Sequence, residues 1–330
     1  NRQEVGRIDE ADGLWMLGGD QNLTMSLLLA TDGTDSPLLS AIRRRASMPH
    51  RAGGMVVGGT SAGAAVLSDP MIGGGTSFGA LSLPRAVAAE DTEMSPALLV
   101  LKGLGLFPEG IIDQHFDARA RLARLAEAAL VEDGARRPAF GIAEATALIY
   151  RGSERSIGVC GAGGVYILDP RTATRTTIAT GTGPRIMIRD LLLHYITEGD
   201  VYHVAEDRLD FGAKEEMPSS AAAFALEHPV ASGILSPYGR LAEFAARLVL
   251  DNDPGRLWLD EESGRRYARS LLVEDMRQLD GNTRSLGWEV RVGRYMPESA
   301  GAAHRAARLF YDGRYSFQNI YIDIMPVDID

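Results

Sequence analysis

In Met55-Val56-Val57-Gly58-Gly59-Thr60-Ser61-Ala62-Gly63-Ala64-Ala65-Val66, an apolar run enters a glycine-rich turn and a run of small residues leaves it. That order predicts a strand, a tight turn and a helix, with a nucleophilic serine at the turn. Gly59 and Gly63 stand two residues either side of Ser61, where side chains would crowd the turn. The plainer reading of the same residues is a turn closing an α/β crossover, with Ser61 as a helix N-cap.

Working outward, Leu14-Trp15-Met16-Leu17 ends at Gly18-Gly19-Asp20-Gln21. It reads as a buried parallel strand, a loop, and a helix over about 22–30. Residues 36–47 read as a helix, and Met55–Val57 as the next strand. Ser61 then lies at a strand C-terminus, where open parallel sheets bind ligands. Residues 67–96 lack periodicity, and a stretch of that length often marks a substrate site. Leu98–Leu106 reads as a short amphipathic helix. Ile111-Ile112 leads into Asp113-Gln114-His115-Phe116, and the helix after it carries Arg119, Arg121 and Arg124. Phe140-Gly141-Ile142-Ala143 is a strand ending at Glu144. Ala147–Tyr150 is another, 157–162 and 164–168 read as a hairpin, and 173–179 as a strand. Residues 186–193 have helical or mixed character. The alternation of helix and strand makes the chain α/β. After about residue 205 the character changes. Residues 221–227 and Tyr238–Leu250 read as helices, Asp251–Gly255 as a turn, and 286–294 and Phe317–Val327 as alternating strands. This divides the chain into a core, 1–205, and a C-terminal extension, 206–330, packed on it.

The chain of 330 residues carries a formal net charge of −10. That counts against a nucleic-acid partner and favours a cationic ligand. No run is long enough to span a membrane as a helix. The one cysteine, Cys160, lies in an apolar, glycine-flanked run and reads as a buried core thiol.

A serine nucleophile needs a base, and the base needs an orienting acceptor. Of six histidines, His115 has the best context, following an apolar pair at a strand end. Its bland reading is a helix-start imidazole satisfied by backbone. Glu144, another strand-end residue, and Asp113, two residues before His115, both remain open as the acid. The backbone N–H of Ala62 is the nearest oxyanion donor. A second comes from the Gly18-Gly19 loop, through Gly19. No cluster has metal-ligand spacing, and neither metal nor cofactor is expected.

Taken together, four blocks resemble the cyanophycinases, within the wider serine peptidase family that includes alpha-aspartyl dipeptidase. They are Gly18-Gly19-Asp20-Gln21; Gly59-Thr60-Ser61-Ala62-Gly63-Ala64-Ala65; Asp113-Gln114-His115-Phe116 with Arg119, Arg121 and Arg124; and Gly141-Ile142 with Glu144 and Thr146-Ala147-Leu148. The resemblance spans about residues 1–200. It implies a three-layer α/β sandwich with a largely parallel central sheet, and a homodimer. It implies Ser61 as nucleophile, His115 as base and Glu144 as orienting acid, with Gln21, Asp113, Gln114, Arg119, Arg121 and Arg124 lining or supporting the substrate groove. The implied substrate is cyanophycin, a poly-aspartate with arginine on each β-carboxyl, and the implied product is the β-aspartyl-arginine dipeptide. Arg119 and Arg121 are then candidates to clamp the substrate carboxylate, and Glu90, Asp91 and Glu93 to meet its guanidinium. An aspartyl or isoaspartyl dipeptidase is the alternative enzyme. A cyanophycin-binding protein on a retired peptidase fold is the non-enzymatic one.

The family pattern places a strand–helix–strand unit before Trp15, where this sequence has about fourteen residues. The Leu14–Leu17 strand is therefore expected inside a sheet, with neighbours supplied upstream of Asn1 or by a separate fragment. Pairing with Ile320–Ile324 would mean instead that the C-terminal extension replaces that unit. A longer precursor of this kind favours a secreted or periplasmic protein over a cytoplasmic one.

Overall fold

The computed structural model describes residues 2–83, 96–131, 136–180, 183–217, 241–246, 258–259, 261, 265–274, 285–294 and 307–329. Glu90, Asp91 and Glu93, the helix expected over 221–227 and the turn at Asp251–Gly255 lie outside these residues.

The chain begins with α1 (Arg2–Glu10), β1 (Gly13–Met16), α2 (Gln21–Leu28), α3 (Pro37–Ser47), β2 (Val56–Gly59) and α4 (Ala62–Ala65). Local chemistry starts these helices. The Asp20 carboxylate accepts the Asn22 N–H at 2.8 Å, and the Ser36 hydroxyl accepts the Leu39 N–H at 3.2 Å with Pro37 in the first turn. β1 and β2 pair in parallel, Trp15 opposite Gly58. Met16, Met25, Leu28, Leu39 and Ile42 form the core beneath them. Trp15 and Val56 lie outward and are 63% and 69% exposed. Among the described residues β2 is the only strand paired with β1.

β3 (Met71–Gly74), α5 (Ser77–Ser82), β4 (Leu99–Leu101), β5 (Ile111–Asp113), α6 (Leu122–Val131) and β6 (Ala139–Ile142) follow. Leu98–Leu106, read from sequence as a helix, contains β4 instead, which pairs antiparallel with β3. Then come β7 (Thr146–Arg151), β8 (Ser156–Gly161), β9 (Gly164–Asp169), β10 (Thr174–Thr180), β11 (Gly183–Thr197), β12 (Val201–His203), β13 (Arg208–Asp210) and β14 (Glu215–Glu216). The described chain is completed by α7 (Leu241–Phe244), β15 (Trp258–Leu259), β16 (Arg266–Glu274), β17 (Ser285–Arg294), β18 (Arg308–Tyr311) and β19 (Tyr315–Ile329).

The main sheet has the order β15-β16-β17-β19-β11-β9-β6-β5, with β10 on β11, β18 on β19 and β14 on β18. Among its described residues only β5 and β6 run parallel; the other pairs are antiparallel. This corrects the expectation of a largely parallel central sheet. The physical reason is connection length. Parallel neighbours need a crossover of a dozen residues or more. The two parallel pairs, β1/β2 and β5/β6, have α2 with α3, and α6, in their connections. From β7 to β11 the links are short, and the chain turns back on itself.

Two further readings are corrected. Residues 157–162 and 164–168 are not a hairpin: β8 pairs with β7 and β12, and β9 with β6 and β11. Residues 186–193 belong to strand β11, whose pairing with β19 shifts register between Ile188 and Leu191. Asp190 sits there with φ 58, and such a bulge breaks the alternation that marks a strand. Cys160 is exposed near the end of β8, its Sγ 3.5 Å from a Glu198 carboxylate oxygen, rather than a core thiol.

One face of the main sheet packs under α5, α6 and α7 around Leu81, Leu125, Phe244 and Trp288. The other packs against the small sheet β13-β12-β8-β7 through Phe140, Ile157, Ile167 and Tyr202. β19 lies between β11 and β17, so the C-terminal strands continue the same sheet.

Candidate active site

Ser61 occupies the turn between β2 and α4 with φ 54 and ψ −121. The turn closes only because side chains are missing around it. A Cβ on Gly59 would lie 2.0 Å from the Gly63 carbonyl oxygen, and one on Gly63 2.2 Å from that of Met16. A Cβ on Gly18 would come within 3.1 Å of the Ser61 Cβ, so the Gly18-Gly19 loop lies directly against the serine. Gly19 has φ 144, a region that glycine tolerates. The N–H groups of Ala64 and Ala65 donate to the Ser61 carbonyl at 2.9 and 3.1 Å. The Ala62 N–H stands at the first position of α4 and has no acceptor among the described residues.

The segment after α4 carries the serine turn to β5. Leu104 and Phe107 donate backbone N–H groups to the carbonyls of Val66 and Leu67, at 2.7 and 2.8 Å. The Ser68 hydroxyl accepts the Ile112 N–H at 3.3 Å. His115 follows β5 in a left-handed conformation, φ 49. Its Nε2 lies 2.9 Å from Ser61 Oγ, and its Nδ1 lies 2.6 Å from Glu144 Oε1. Ionised, Glu144 can only accept; Nδ1 then carries the proton and Nε2 is left to accept from the serine hydroxyl. Glu144 stands two residues beyond β6, with its side chain half-exposed.

The structure separates the two candidate acids. Asp113 faces away from the imidazole, into a buried ion cluster. It accepts from Arg124 Nε at 2.8 Å and Nη2 at 2.6 Å, and from Arg121 Nη1 at 3.2 Å. Arg121 Nη1 also donates to the backbone carbonyl and the side-chain oxygen of Gln114, and Arg124 Nη1 donates to the Gly75 carbonyl at 2.7 Å. Asp113, Gln114, Arg121 and Arg124 are all buried. Burial, with the neighbouring Arg124 and Arg119 charges, pushes the Arg121 guanidinium down to about 10. Arg119 is exposed and has no ion-pair partner among the described residues. Gln21 spends its side-chain amide on the Ile72 and Gly73 carbonyls, at 3.1 and 2.8 Å, and ties α2 to β3. Sequence reading passed over Ser77. Its hydroxyl donates to the Ala120 carbonyl at 2.5 Å and accepts the Arg124 N–H at 3.3 Å, holding the arginine turn. A single serine in an aperiodic stretch gives no signal of such a role.

Among the described residues no three His, Cys, Asp or Glu side chains converge as a metal site, and no helix is long and apolar enough to cross a membrane. The arrangement can perform nucleophilic acyl transfer: an activatable hydroxyl, a base within reach, an acceptor behind the base, and a free amide beside the nucleophile.

The model of peptidase family S51 matches residues 1–158. Over 203 residues the chain is 32% identical to a cyanophycinase of Nostoc sp., an alignment covering 61% of this chain and 60% of the relative. Over 197 residues it is 36% identical to a cyanophycinase of Geminocystis herdmanii, covering 59% and 64%. The chain thus spans about three fifths of the length of these curated relatives. A crystal structure of a peptidase from an acI-B1 Actinobacterium aligns with 51% of this chain and 57% of its own at 21% identity; its TM-score, 0.34, is too low to bear on the fold. Residues 1–158 thus match peptidase family S51, and over a longer stretch the chain is similar to the cyanophycinases among its curated relatives.

Proposed function

We propose that this protein is a serine hydrolase that degrades cyanophycin, multi-L-arginyl-poly-L-aspartate, to β-aspartyl-arginine dipeptides, and that it works as a homodimer. The observation that carries the reading is the continuous relay Ser61 Oγ, His115 Nε2, His115 Nδ1, Glu144 Oε1, at 2.9 and 2.6 Å. Ser61 Oγ attacks a backbone carbonyl carbon of the polymer while His115 Nε2 takes the hydroxyl proton. The Ala62 N–H, with the Gly19 backbone, receives the charge that gathers on the carbonyl oxygen. The C–N bond then breaks, His115 passes the proton to the leaving amine, and an ester to Ser61 remains. Water enters with its proton taken by His115, the tetrahedral intermediate collapses, and the freed acid and the Ser61 hydroxyl are restored. Glu144 keeps the imidazole in one tautomer throughout. The polymer offers carboxylates and guanidinium groups. Arg119, exposed on the turn after His115, is placed to meet the former, and Arg121 and Arg124 hold Asp113 and Gln114 behind it.

The test is incubation with insoluble cyanophycin and mass analysis of the supernatant. The wild-type protein releases a dipeptide of aspartate and arginine, and the Ser61→Ala protein releases none. Hydrolysis of aspartyl dipeptides with the polymer left intact would assign the dipeptidase reading instead. Polymer binding without release would assign the non-enzymatic one.

A further inference from the structure

In the middle of the main sheet β19 breaks step with β11. Leu193 pairs with Ile320 and Tyr195 with Phe317, so Gln318 and Asn319 stand together against His194. Two residues against one is a bulge, and bulges re-aim side chains. Asn319 takes a left-handed conformation, φ 59, and its N–H donates to His194 Nδ1 at 3.0 Å. An imidazole nitrogen that accepts carries no proton, so Nε2 holds the proton of the neutral ring and is a donor. It has no acceptor among the described residues and is not sealed from solvent. His194 and Gln318 line a cavity of about 270 Å³, together with Leu192 and the turn between β12 and β13. That is just under the ~300–1,000 Å³ of drug-sized sites, so the space suits a small molecule. It is separate from the triad. β6 ends at Ile142, opposite Val165 and two residues before Glu144. Asp169, on the cavity wall, closes β9 at its other end. Asp169 and Glu144 are thus a strand's length apart, on the order of 15 Å.

The acidic groups around this cavity are already engaged. Arg171 Nε and Nη2 donate to Asp169 Oδ1 and Oδ2 at 2.8 and 2.6 Å, and Nη2 donates to Asp207 Oδ2 at 2.6 Å. Tyr202 donates its hydroxyl to Asp207 Oδ1 at 2.9 Å, and Arg208 Nε donates to Glu206 Oε2 at 3.0 Å. Donors are left over. Arg171 Nη1 and the Gln318 side-chain amide have no hydrogen-bond partner among the described residues, and the His194 Nε2–H makes a third. Three such donors on one cavity suit a carboxylate. The charge of the lining points the other way, since Asp169, Glu206 and Asp207 stand against Arg171 alone. A bare anion is repelled by that excess, and a bare cation leaves the donors unpaired. A molecule that carries both charges satisfies both demands. Arg171, Glu206 and Asp207 are exposed, while His194 and Gln318 are half-buried. The negative end therefore enters first, and the positive end stays at the mouth.

We propose that this cavity is a second binding site, for a free α-amino acid: the ligand's carboxylate accepts from His194 Nε2–H and the Gln318 amide, with Arg171 beside them, and its ammonium group meets Glu206 and Asp207. A basic side chain is preferred, because it brings a second cation to the same two carboxylates. The site does not depend on the hydrolase reading. Titration calorimetry of the whole chain with L-arginine shows saturable binding below ~10 mM. Agmatine, which lacks the carboxylate, and arginine lacking its α-amino group each bind at least about tenfold more weakly. Gln318→Met, which removes the amide at similar volume, weakens L-arginine by about tenfold at unchanged thermal midpoint. Nitrogen-detected NMR of the histidine rings locates the ligand without altering the cavity: L-arginine shifts the His194 Nε2–H resonance, which is assigned by its loss in His194→Gln. The proposal is overturned by the absence of saturable binding, by agmatine bound as tightly as L-arginine, or by unchanged affinity in Gln318→Met. A His194 resonance that stays put while L-arginine binds places the ligand elsewhere and overturns it too. If Gln318→Met lowers the thermal midpoint, that resonance decides alone.

Discussion

Ser61 holds a backbone conformation, φ 54 and ψ −121, that a residue with a Cβ rarely adopts. Such strain costs of order 1–3 kcal/mol and clusters where function requires it. We expect Ser61→Gly to raise stability by about 1 kcal/mol in denaturant unfolding while abolishing hydrolysis. Ser61→Ala, which keeps the Cβ, should abolish hydrolysis with no such gain. A Ser61→Gly protein no more stable than wild type would show that the turn carries no strain. Behind the serine, Asp113 is a buried carboxylate holding two guanidiniums. Asp113→Ala leaves Arg121 and Arg124 charged and uncompensated, and we expect a loss of about 3–5 kcal/mol by urea titration. The sequence showed where Ser61, His115 and Glu144 stand relative to strand ends, because strand ends are marked by composition. It did not show which arginines turn inward. Arg121 and Arg124 are three apart and share one face at the start of α6, and Arg119 does not. That spacing was readable, but without knowing which face was buried it decided nothing. An Arg121→Lys protein should therefore lose stability as well as activity, since at least one end of that fork is spent on Asp113 and Gln114.

At the scale of elements, the strand–turn–helix at β2 and α4 is dictated by local absence of bulk, and local signals are what a sequence displays. Gly63→Ala places a Cβ 2.2 Å from the Met16 carbonyl oxygen, and backbone must move to admit it. We expect a loss of about 1–3 kcal/mol and a displaced Ser61, read as a lower urea midpoint together with lost labelling of the serine by a fluorophosphonate. Full stability in Gly63→Ala would contradict the packing of β1 on α4. Other elements were misread for physical reasons. β4 is three residues long, too short for any period to register. β11 carries a bulge at Asp190, which shifts its alternation midway. β8 and β9 are neighbours in sequence but belong to different sheets, and nothing in a two-residue link states which partners its flanks will find.

At the scale of the whole molecule, central pairings of the main sheet such as β11 with β19 are non-local, and pairing between distant segments leaves no local trace. His194 makes one such partnership measurable. It lies on β11, and its Nδ1 accepts the Asn319 N–H of β19 at 3.0 Å. Burial pushes it down to about 4 from 6.5, against the pull of Asp169 and Asp207. Below about 6.5 the unfolded chain gains a proton that the folded one refuses until about 4. Stability is thus full above that window and declines as pH falls through it, by at most about 3 kcal/mol from this group. We expect urea midpoints of wild type to fall between pH 7 and pH 4.5 more steeply than those of His194→Gln. Parallel slopes would remove His194 from the account.

β19 is near the end of the sequence and in the middle of the main sheet, with β11 on one side and β17 on the other. On the ribosome, then, the centre of the sheet is made after the strands on either side of it. Ile188 must wait for Ile324, and until residues 315–329 emerge, one long edge of β11 stands open to water and to any other extended chain nearby. Through that interval the nascent sheet is unclosed. The protein's yield in a cell should therefore depend less on the strength of the finished fold than on how well that edge is guarded before β19 arrives.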